Sequence, residues 1–306
     1  MTDATILIPT FRHAALLPHA IESALDQEGV SIELFVVGDG VEDATREVLA
    51  RYERDDRVRF FDLPKGPRLG EAHRHPLMSE ASGPVVTYLS DDDLLCRDHV
   101  ATMVELLANA DFAHPPSARF RADGSLLFFP WDYSRPEFRD IARGRRGSIG
   151  LTGVAHTMDA YRRLPRGWRT TPEGMPTDHW MWLQFMELPA IRVVRGERLT
   201  YLTFPDPVFG KLPDAERAGQ LAGWFRRSRE RGFANELDDR LRDAVRLAAE
   251  DYHLWARREQ LSVREIRSTR TWRLRDRLVR IRPIRALLAR GHSDSDRPPP
   301  KADPAR

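Results

Sequence analysis

Apolar residues in the first 115 positions alternate between short continuous runs and longer segments with helical spacing. The continuous runs predict β-strands at 5–9, 32–37, 58–63, 85–89 and 111–115. The segments between them predict helices near 14–27, 43–53, 70–82 and 97–109. Because these strands are too apolar to have a solvated face, we expect an α/β fold, a mostly parallel sheet flanked by helices on both sides. Ligands of such folds bind beyond the carboxyl ends of the strands.

After residue 115 the hydrophobic pattern is less regular. It predicts a hairpin over 118–130, a short helix near 158–163, and short strands near 191 and 200. Residues 214–268 are predicted to be helical and are highly charged, and the chain ends in a Pro-rich polar segment. The boundaries that we expect are a main domain over 1–210 with halves 1–115 and 116–210, a helical extension over 211–291, and a disordered end over 292–306.

The composition favours a globular protein that folds without covalent cross-links. Of the 306 residues, 41% are apolar, which is enough for a sizeable core. Cys96 is the single cysteine, so an intramolecular disulfide is excluded. The first residues lack the pattern of a signal peptide, and no apolar run is long enough to span a bilayer. We therefore expect a cytoplasmic location.

Positive charge is concentrated at the end of the chain. The formal net charge is +2, but the residues from Arg270 onward are strongly basic and the preceding ones are mildly acidic. Eight arginines in 270–291 are interleaved with apolar residues. This pattern is typical of a peripheral contact with the anionic inner face of a membrane, or of a charged helix packed on its own domain. Because the body is acidic and has no recognition module, nucleic acid is not expected as a partner.

Carboxylates follow the predicted strands at positions that suit a metal site. Asp39 comes directly after the second strand, and Asp91, Asp92 and Asp93 come directly after the fourth. Like charges this close raise one another's pKa unless a cation neutralises them. Oxygen ligands favour Mg²⁺ or Mn²⁺ as that cation. The alternative is a helix start at this position, in which one aspartate caps the helix and the others interact with the helix dipole.

Three segments resemble a known enzyme family. They are ILIPTFRHAALLPHAIESALDQ, IELFVVGDGVEDATREVL and GPVVTYLSDDDLLCRDHV. In order and spacing they resemble the amino-terminal half of family 2 inverting glycosyltransferases of the GT-A fold. The resemblance implies that fold and a metal-dependent transfer of a sugar from a nucleotide diphosphate sugar to an acceptor hydroxyl. The acceptor itself is left open, and synthesis of a polysaccharide or glycoconjugate is expected from the family.

The resemblance also implies where the donor binds. Asp39 would hydrogen-bond the nucleobase, and Asp91 would lie near the ribose or the sugar. Backbone groups of Pro9 and Thr10 would line the nucleoside pocket. Uridine is the first choice for the nucleobase, and thymidine and guanosine stay open as alternatives.

The resemblance also implies which residues bind the metal, and three residues of this chain differ from the family pattern. Asp92 would be the main metal ligand, with Asp93 beside it. The chain departs from the family pattern at three positions in the first two motifs, Arg12, Gly38 and Val41. These departures affect the identity of the donor more than the fold.

The second half of the chain resembles the family through the segment PTDHWMW. It implies that Asp178 is the general base, and the alternative is a helix cap formed by Thr177 or Asp178. His156 is a candidate contact of the diphosphate or the acceptor, with a purely structural histidine as the alternative. Lys65 and Arg68 follow the third strand and are candidates for holding phosphate, although a solvated loop charge suits Lys65 better.

Two other function classes stay open at this point. A sugar nucleotidyltransferase would also use an α/β sheet and carboxylates, but it should carry a Gly-rich basic loop after its first strand. The segment ILIPTFRHAALL has no such loop. A catalytically inactive nucleotide-binding or scaffold protein is the second alternative.

Overall fold

A computed structural model describes residues 2–121, 123–144, 148–204 and 212–268, with the last helix described by its backbone alone after residue 250. The chain divides into two compact units, Met1–Ala248 and Ala249–Arg306. The second unit is described only as a helix up to Ser268. The predicted basic segment 270–291 and the predicted disordered end 292–306 lie outside the described residues. Among the helices described, none is long and apolar enough to cross a membrane.

Short apolar runs form the strands of the first unit. In chain order the strands are β1 Ala4–Thr10, β2 Ile32–Asp39, β3 Val58–Leu63, β4 Val85–Tyr88, β5 Leu94–Leu95, β6 Phe112–His114, β7 Ser117–Phe120, β8 Leu126–Phe129, β9 Ala155–Thr157, β10 Val193–Arg195 and β11 Tyr201–Leu202. A seven-stranded sheet formed by described residues has the order β10-β6-β9-β4-β1-β2-β3. Its strands β1 to β4 are parallel, and β9 runs antiparallel to β4 and β6. Two small antiparallel pairs, β7 with β8 and β11 with β5, complete the strand pairing that the structure describes.

Helices alternate with these strands as the periodicity predicts. They are α1 Leu17–Leu25, α2 Asp43–Leu49, α3 Arg74–Leu77, α4 His99–Leu107, α5 Pro136–Arg143, α6 Met158–Arg162, α7 Thr177–Met186, α8 Asp214–Arg227 and α9 Phe233–Ser268. The face of α1 that was predicted to be apolar is buried, at Leu17, Ala20, Ile21 and Ala24. Burying these side chains against the sheet stabilises a helix that is too short to persist alone in water.

Both faces of the sheet are covered by apolar side chains. Along β1, Ile6 and Ile8 belong to one buried cluster, while Leu7 belongs to a second cluster on the opposite face. Successive residues of a strand point to opposite faces, so a strand buried on both sides is apolar at most of its positions. The predicted fold class, a mostly parallel sheet between helices, is confirmed.

The helices after residue 210 also contribute to the first unit. Leu221 of α8 and Phe233, Leu237 and Leu241 of α9 are buried in the same cluster as Ile6 and Ile8. The first unit extends to Ala248, beyond the point at which the sequence places the end of the main domain.

Candidate active site

The carboxyl ends of β1, β2 and β4 meet at one edge of the central sheet. β1 lies between β2 and β4 and runs parallel to both, and Thr10 at its end pairs with Gly38. Asp39 is the last residue of β2, and Asp91 follows the end of β4. The structure therefore brings the predicted residues at the ends of these strands to the same edge, where α/β folds bind ligands.

Asp39 is a buried carboxylate held by the loop that follows β3. Its side chain is only 8% exposed. Lys65 Nζ donates to one carboxylate oxygen at 2.6 Å, and the backbone N–H of Gly66 donates to the other at 2.6 Å. His73 Nε2 lies 3.3 Å from the same carboxylate. Lys65, for which the sequence left phosphate binding and a solvated charge open, thus lies against the predicted nucleobase ligand.

Gly70 leaves the space that the Asp39 carboxylate occupies. Its φ of +63° is in the left-handed region, and an added Cβ would lie 2.1 Å from Asp39 Cγ. Any larger residue would both strain the backbone and displace the carboxylate. The conformation of Asp39 therefore depends on a glycine 31 positions away in the chain.

Asp91 and Asp92 form a compact group with His13, a residue that sequence reasoning missed. His13 lies just after β1, and its Nδ1 is 2.8 Å from Asp91 Oδ1. One ligand atom from each of the three residues lies within 4.8 Å of the others. Two carboxylates and an imidazole are a donor set that suits a divalent transition metal such as Mn²⁺. The signal in the sequence was the position of His13 directly after a strand that ends at the same edge.

The group concentrates negative charge, and two cationic side chains approach it. Burial raises the pKa of Asp92 to about 8, and the negative charges of Asp93 and Asp91 contribute to this shift. The hydrogen bond to Asp91 raises the pKa of His13 to about 9, against the opposing effect of burial. Arg217 Nη2 donates to Asp92 Oδ2 at 2.9 Å. A cation bound beside these carboxylates would relieve their mutual repulsion.

Asp93 lies apart from this group. Its Oδ2 accepts from the hydroxyls of Thr152 at 2.5 Å and Thr203 at 2.7 Å, and its Oδ1 accepts from the backbone N–H of Phe204 at 3.0 Å. Asp93 thus ties β5 to the second half of the unit, and the three residues that could hold a metal ion are His13, Asp91 and Asp92. The alternative that these aspartates cap a helix is wrong, because β5 follows them and α4 begins only at His99.

Asp178 lies in the first turn of α7 and is partly buried. Burial raises the pKa of Asp178 above its usual range, and the backbone N–H of His179, which donates to its Oδ1 at 2.7 Å, opposes this shift. The residue at the N-cap is Pro176, which has no side-chain capping bond. The helix-cap alternative for Thr177 or Asp178 is therefore not the arrangement found.

Loop contacts tie the segment before α7 to the loop that holds Asp39. Arg68 donates to the carbonyls of Pro172 at 3.1 Å and Met175 at 3.0 Å. Glu71 accepts from the backbone N–H of Thr171 at 2.6 Å. Arg68 was a candidate for phosphate binding, and the contacts found are backbone carbonyls. These bonds bring α7, and with it the candidate base, to the edge of the sheet where the donor is expected.

Arg74 is a buried cation at the same edge that the sequence did not reveal. Its guanidinium carbon lies 4.4 Å from the ring centre of Trp168, and the side chain is 4% exposed. Burial lowers the pKa of Arg74 to about 10, and the charges of Asp178 and Asp39 are among those that oppose this shift. Arg74 therefore places a positive charge near both predicted functional carboxylates.

His156 does not face a ligand. It lies on β9 with 0% exposure, its Nε2 is 2.8 Å from the hydroxyl of Tyr88, and its Nδ1 is 3.0 Å from the carbonyl oxygen of Thr157. Burial lowers the pKa of His156 to about 4, so the ring is neutral. The expected contact with the diphosphate or the acceptor is corrected to a role in the core, which was the alternative reading of this residue.

A family model described as "Glycosyl transferase family 2" matches residues 5–165, more than half of the chain. The chain belongs to this family. The resemblance stated from the sequence is confirmed. The matched residues begin at the second residue of β1 and contain β2 to β6, with Asp39 and the three consecutive aspartates, whereas Asp178 and α8 lie beyond them.

Curated members of the family cover part of the chain. A GalNAc(5)-diNAcBac-PP-undecaprenol beta-1,3-glucosyltransferase of Campylobacter jejuni is 31% identical over 118 residues, which are 37% of this chain and 37% of that protein. The succinoglycan biosynthesis protein ExoO of Rhizobium meliloti is 36% identical over 103 residues, which are 34% of this chain and 29% of ExoO. The chain thus spans about a third of the length of these curated relatives.

Solved structures resemble this chain in fold over about three quarters of its length. The crystal structure of Staphylococcus aureus TarS 1-349 has a TM-score of 0.52 at 14% sequence identity, covering 76% of this chain and 74% of that one. The same protein in complex with UDP-GlcNAc has a TM-score of 0.53 at 12% identity. These likenesses, with the sheet order described above, confirm the predicted GT-A fold.

Proposed function

We propose that this family 2 member transfers a sugar from a nucleotide diphosphate sugar to an acceptor hydroxyl, with a divalent cation in the donor site and inversion of the anomeric carbon. One observation carries the proposal. Asp39 at the end of β2 and the group of His13, Asp91 and Asp92 after β1 and β4 lie at the same edge of a parallel sheet. A nucleobase ligand and a cation site at one edge are what a nucleotide diphosphate requires.

The nucleoside would bind beside Asp39, Pro9 and Thr10. Lys65 and Gly66 fix the carboxylate of Asp39, and each carboxylate oxygen can accept a second hydrogen bond. Asp39 can therefore accept the N3–H of a uracil ring as well. Uridine is our first choice, and TarS, whose structure contains UDP-GlcNAc, has the same fold.

The cation site suits Mn²⁺ or Mg²⁺, and the imidazole of His13 favours Mn²⁺ because Mg²⁺ prefers oxygen ligands. A cation held by these residues would supply positive charge that stabilises the departing nucleoside diphosphate. Asp91 and Asp92 provide the negative charge that attracts it, and Asp93 would fix the backbone that carries them through its bonds to Thr152 and Thr203.

Asp178 is proposed as the general base. Partial burial raises its pKa, which makes the carboxylate a stronger base than an exposed aspartate. It would accept the proton of the acceptor hydroxyl while the hydroxyl oxygen forms a bond to the anomeric carbon from the face opposite the nucleotide. The bond between the anomeric carbon and the diphosphate breaks, and the configuration is inverted.

The setting of the reaction is proposed from the relatives. Their names concern a lipid-linked saccharide and succinoglycan, which favours the synthesis of a polysaccharide or glycoconjugate. The basic segment 270–291 would hold the chain at an anionic membrane surface. Binding to anionic liposomes that falls steeply as salt rises would support that role.

A calorimetric panel of UDP, dTDP and GDP with and without Mn²⁺ tests the proposal. We expect one diphosphate, UDP first, to bind more tightly with Mn²⁺, and the matching nucleotide sugar to be turned over. If no nucleoside diphosphate binds under either condition, the proposal is wrong. A nucleotidyltransferase would instead bind a nucleoside triphosphate and consume a sugar phosphate. An inactive binding protein would bind the diphosphate without transfer or donor hydrolysis.

A further inference from the structure

Arg217 makes an ion pair with a carboxylate that the proposed function assigns to a divalent cation. Its Nη2 donates to Asp92 Oδ2 at 2.9 Å, across 125 positions of sequence. Both side chains are largely buried, with 7% and 16% exposed. Arg217 belongs to α8 and lies outside the residues that the family model matches. A helix beyond the matched domain therefore supplies a permanent cation to the donor site.

The described residues around this ion pair enclose only a small cavity. Arg217 and Asp92 border a cavity of about 10 Å³ that is otherwise lined by Leu16, Phe204, Leu221 and Gln220. A cavity of this size holds about one water molecule. Charges in contact with apolar walls attract each other more strongly than they do in water. A divalent cation at this oxygen of Asp92 and the guanidinium of Arg217 are therefore mutually exclusive.

The structure also provides a second partner for Arg217. Asp214, one helical turn earlier on α8, has Oδ1 at 3.9 Å from Arg217 Nη1 and is 60% exposed. The helix itself is anchored, because Leu221 is buried and Arg229 just beyond it pairs with Asp26 at 2.8 Å. Asp214 thus already lies close to the guanidinium that pairs with Asp92, and no movement of the helix is needed to bring the two together.

We propose that Arg217 is the counter-cation of Asp92 while no metal is bound in the donor site. A divalent cation would displace the guanidinium from Asp92, and the guanidinium would then pair with Asp214. The proposal rests on the proposed function, since it assumes that the metal binds at Asp92. Arg217 would keep Asp92 paired when little metal is present and would set the metal concentration at which the donor site is completed. Removing the guanidinium should therefore make the metal bind more tightly.

The test is the affinity of the full chain for Mn²⁺ alone, measured by calorimetry without nucleotide. We expect Arg217→Gln to bind Mn²⁺ about 10- to 100-fold more tightly than the wild type, the factor that corresponds to one charge-assisted hydrogen bond. Arg226→Gln is the matched control, because it removes the same charge from an exposed position of the same helix. Its Mn²⁺ affinity should equal that of the wild type. Arg217→Met retains the aliphatic stem and replaces Arg217→Gln if the latter does not fold.

A second comparison leaves Arg217 in place. Asp214→Asn should weaken Mn²⁺ binding several-fold in the wild type, because the carboxylate that stabilises the displaced guanidinium is removed. It should have a smaller effect in the Arg217→Gln background, and such non-additivity identifies a direct coupling.

Equal Mn²⁺ affinities of the wild type and Arg217→Gln would overturn the proposal and leave the proposed function intact. Another outcome would contradict the proposed function as well. If neither protein binds Mn²⁺ while UDP binds without metal, both the displacement and the metal dependence of the proposed function are contradicted.

Discussion

At the scale of single residues, the contact between Gly70 and Asp39 gives a direct test of the nucleobase site. Gly70→Ala places a Cβ 2.1 Å from Asp39 Cγ, so the carboxylate must move. We expect UDP affinity to fall about 10- to 100-fold, since a hydrogen bond to a charged group is lost. The affinity for Mn²⁺ alone should stay unchanged. Calorimetry with each ligand separates the two effects.

The matched control for this prediction is Gly29→Ala. Gly29 also has a positive φ, +75°, but an added Cβ has no atom within 4 Å. This variant carries the same backbone strain of about 1–2 kcal/mol and no collision. It should bind UDP like the wild type. UDP binding of wild-type strength by Gly70→Ala would show that Asp39 does not contact the nucleobase.

Asp178→Asn separates catalysis from donor binding. The amide keeps the shape and the bond from the His179 N–H but cannot accept the acceptor proton. Turnover should fall about 10²- to 10⁴-fold, the usual loss for a general base. Affinity for the nucleotide sugar should change little, as calorimetry can show. If the variant retains wild-type turnover, or loses donor affinity in parallel with turnover, the base must be sought elsewhere, with Glu173 and His179 the nearest candidates.

The pH dependence of the wild-type rate is a second test of whether Asp178 is the general base. The base acts only when it is deprotonated, so the rate should fall as the pH drops through the pKa of Asp178. Because burial raises that pKa, the fall should occur at a higher pH than for an exposed aspartate.

Residues that follow an apolar run could be predicted, and residues joined across the chain could not. Asp39 and Asp91 follow strands whose parallel order is encoded in their pattern. The pairing of Arg217 with Asp92 depends on where a distant helix packs, which no local pattern specifies. The resemblance named Asp92 and Asp93 as metal ligands, but the local pattern could not show that Asp93 accepts from hydroxyls 59 and 110 positions away.

At the scale of elements, α8 links the second half of the chain to the core of the first unit. Leu221 is 4% exposed in the main cluster, whereas Leu247 of α9 is 48% exposed. Leu221→Ala should lower the free energy of unfolding by about 2–5 kcal/mol, because it leaves a cavity. Leu247→Ala should change it by less than about 0.5 kcal/mol. Urea unfolding measures both, and equal small effects would show that α8 folds independently of the core.

Most elements matched the prediction, among them the short hairpin of β7 and β8 and the short helix α6, whereas strand β9 was not predicted. The strands β1 to β4 and the helices α1 and α4 have a pattern that spans their whole length. Strand β9 has three residues, Ala155–Thr157, and its middle residue is a histidine. β9 forms by pairing with β4 and β6, which are distant in sequence, so no apolar run in the sequence predicts it.

At the scale of the whole molecule, buried neutral histidines couple folding to pH. Burial lowers the pKa of His99 to about 3 and the pKa of His114 and His156 to about 4. The unfolded chain binds protons at these sites near pH 6.5, whereas the folded chain does not. The unfolded state thus holds more protons between pH 6.5 and 4, and stability is lost as the pH falls through this window.

A variant isolates one of these sites. His156→Gln should destabilise the protein at pH 7, because the side chain bonds Tyr88 and Thr157 in the core. The destabilisation should be roughly 2 kcal/mol smaller at pH 5 than at pH 7. The wild type loses stability at pH 5 because His156 takes up a proton on unfolding, whereas Gln cannot. Urea unfolding at both pH values measures the difference. A destabilisation independent of pH would mean that His156 is not held neutral.

The most direct test of the account is UDP binding to the wild type and to Asp92→Ala, each measured by calorimetry with and without Mn²⁺. In the wild type, Mn²⁺ should tighten UDP binding, because Asp91 and Asp92 hold the cation against the diphosphate. In Asp92→Ala the gain from Mn²⁺ should be lost, while UDP binding without metal stays the same, since Asp39 is untouched. Asp43→Ala, at an exposed position of α2, should behave like the wild type. A full Mn²⁺-dependent gain in Asp92→Ala would contradict the assignment of the metal site.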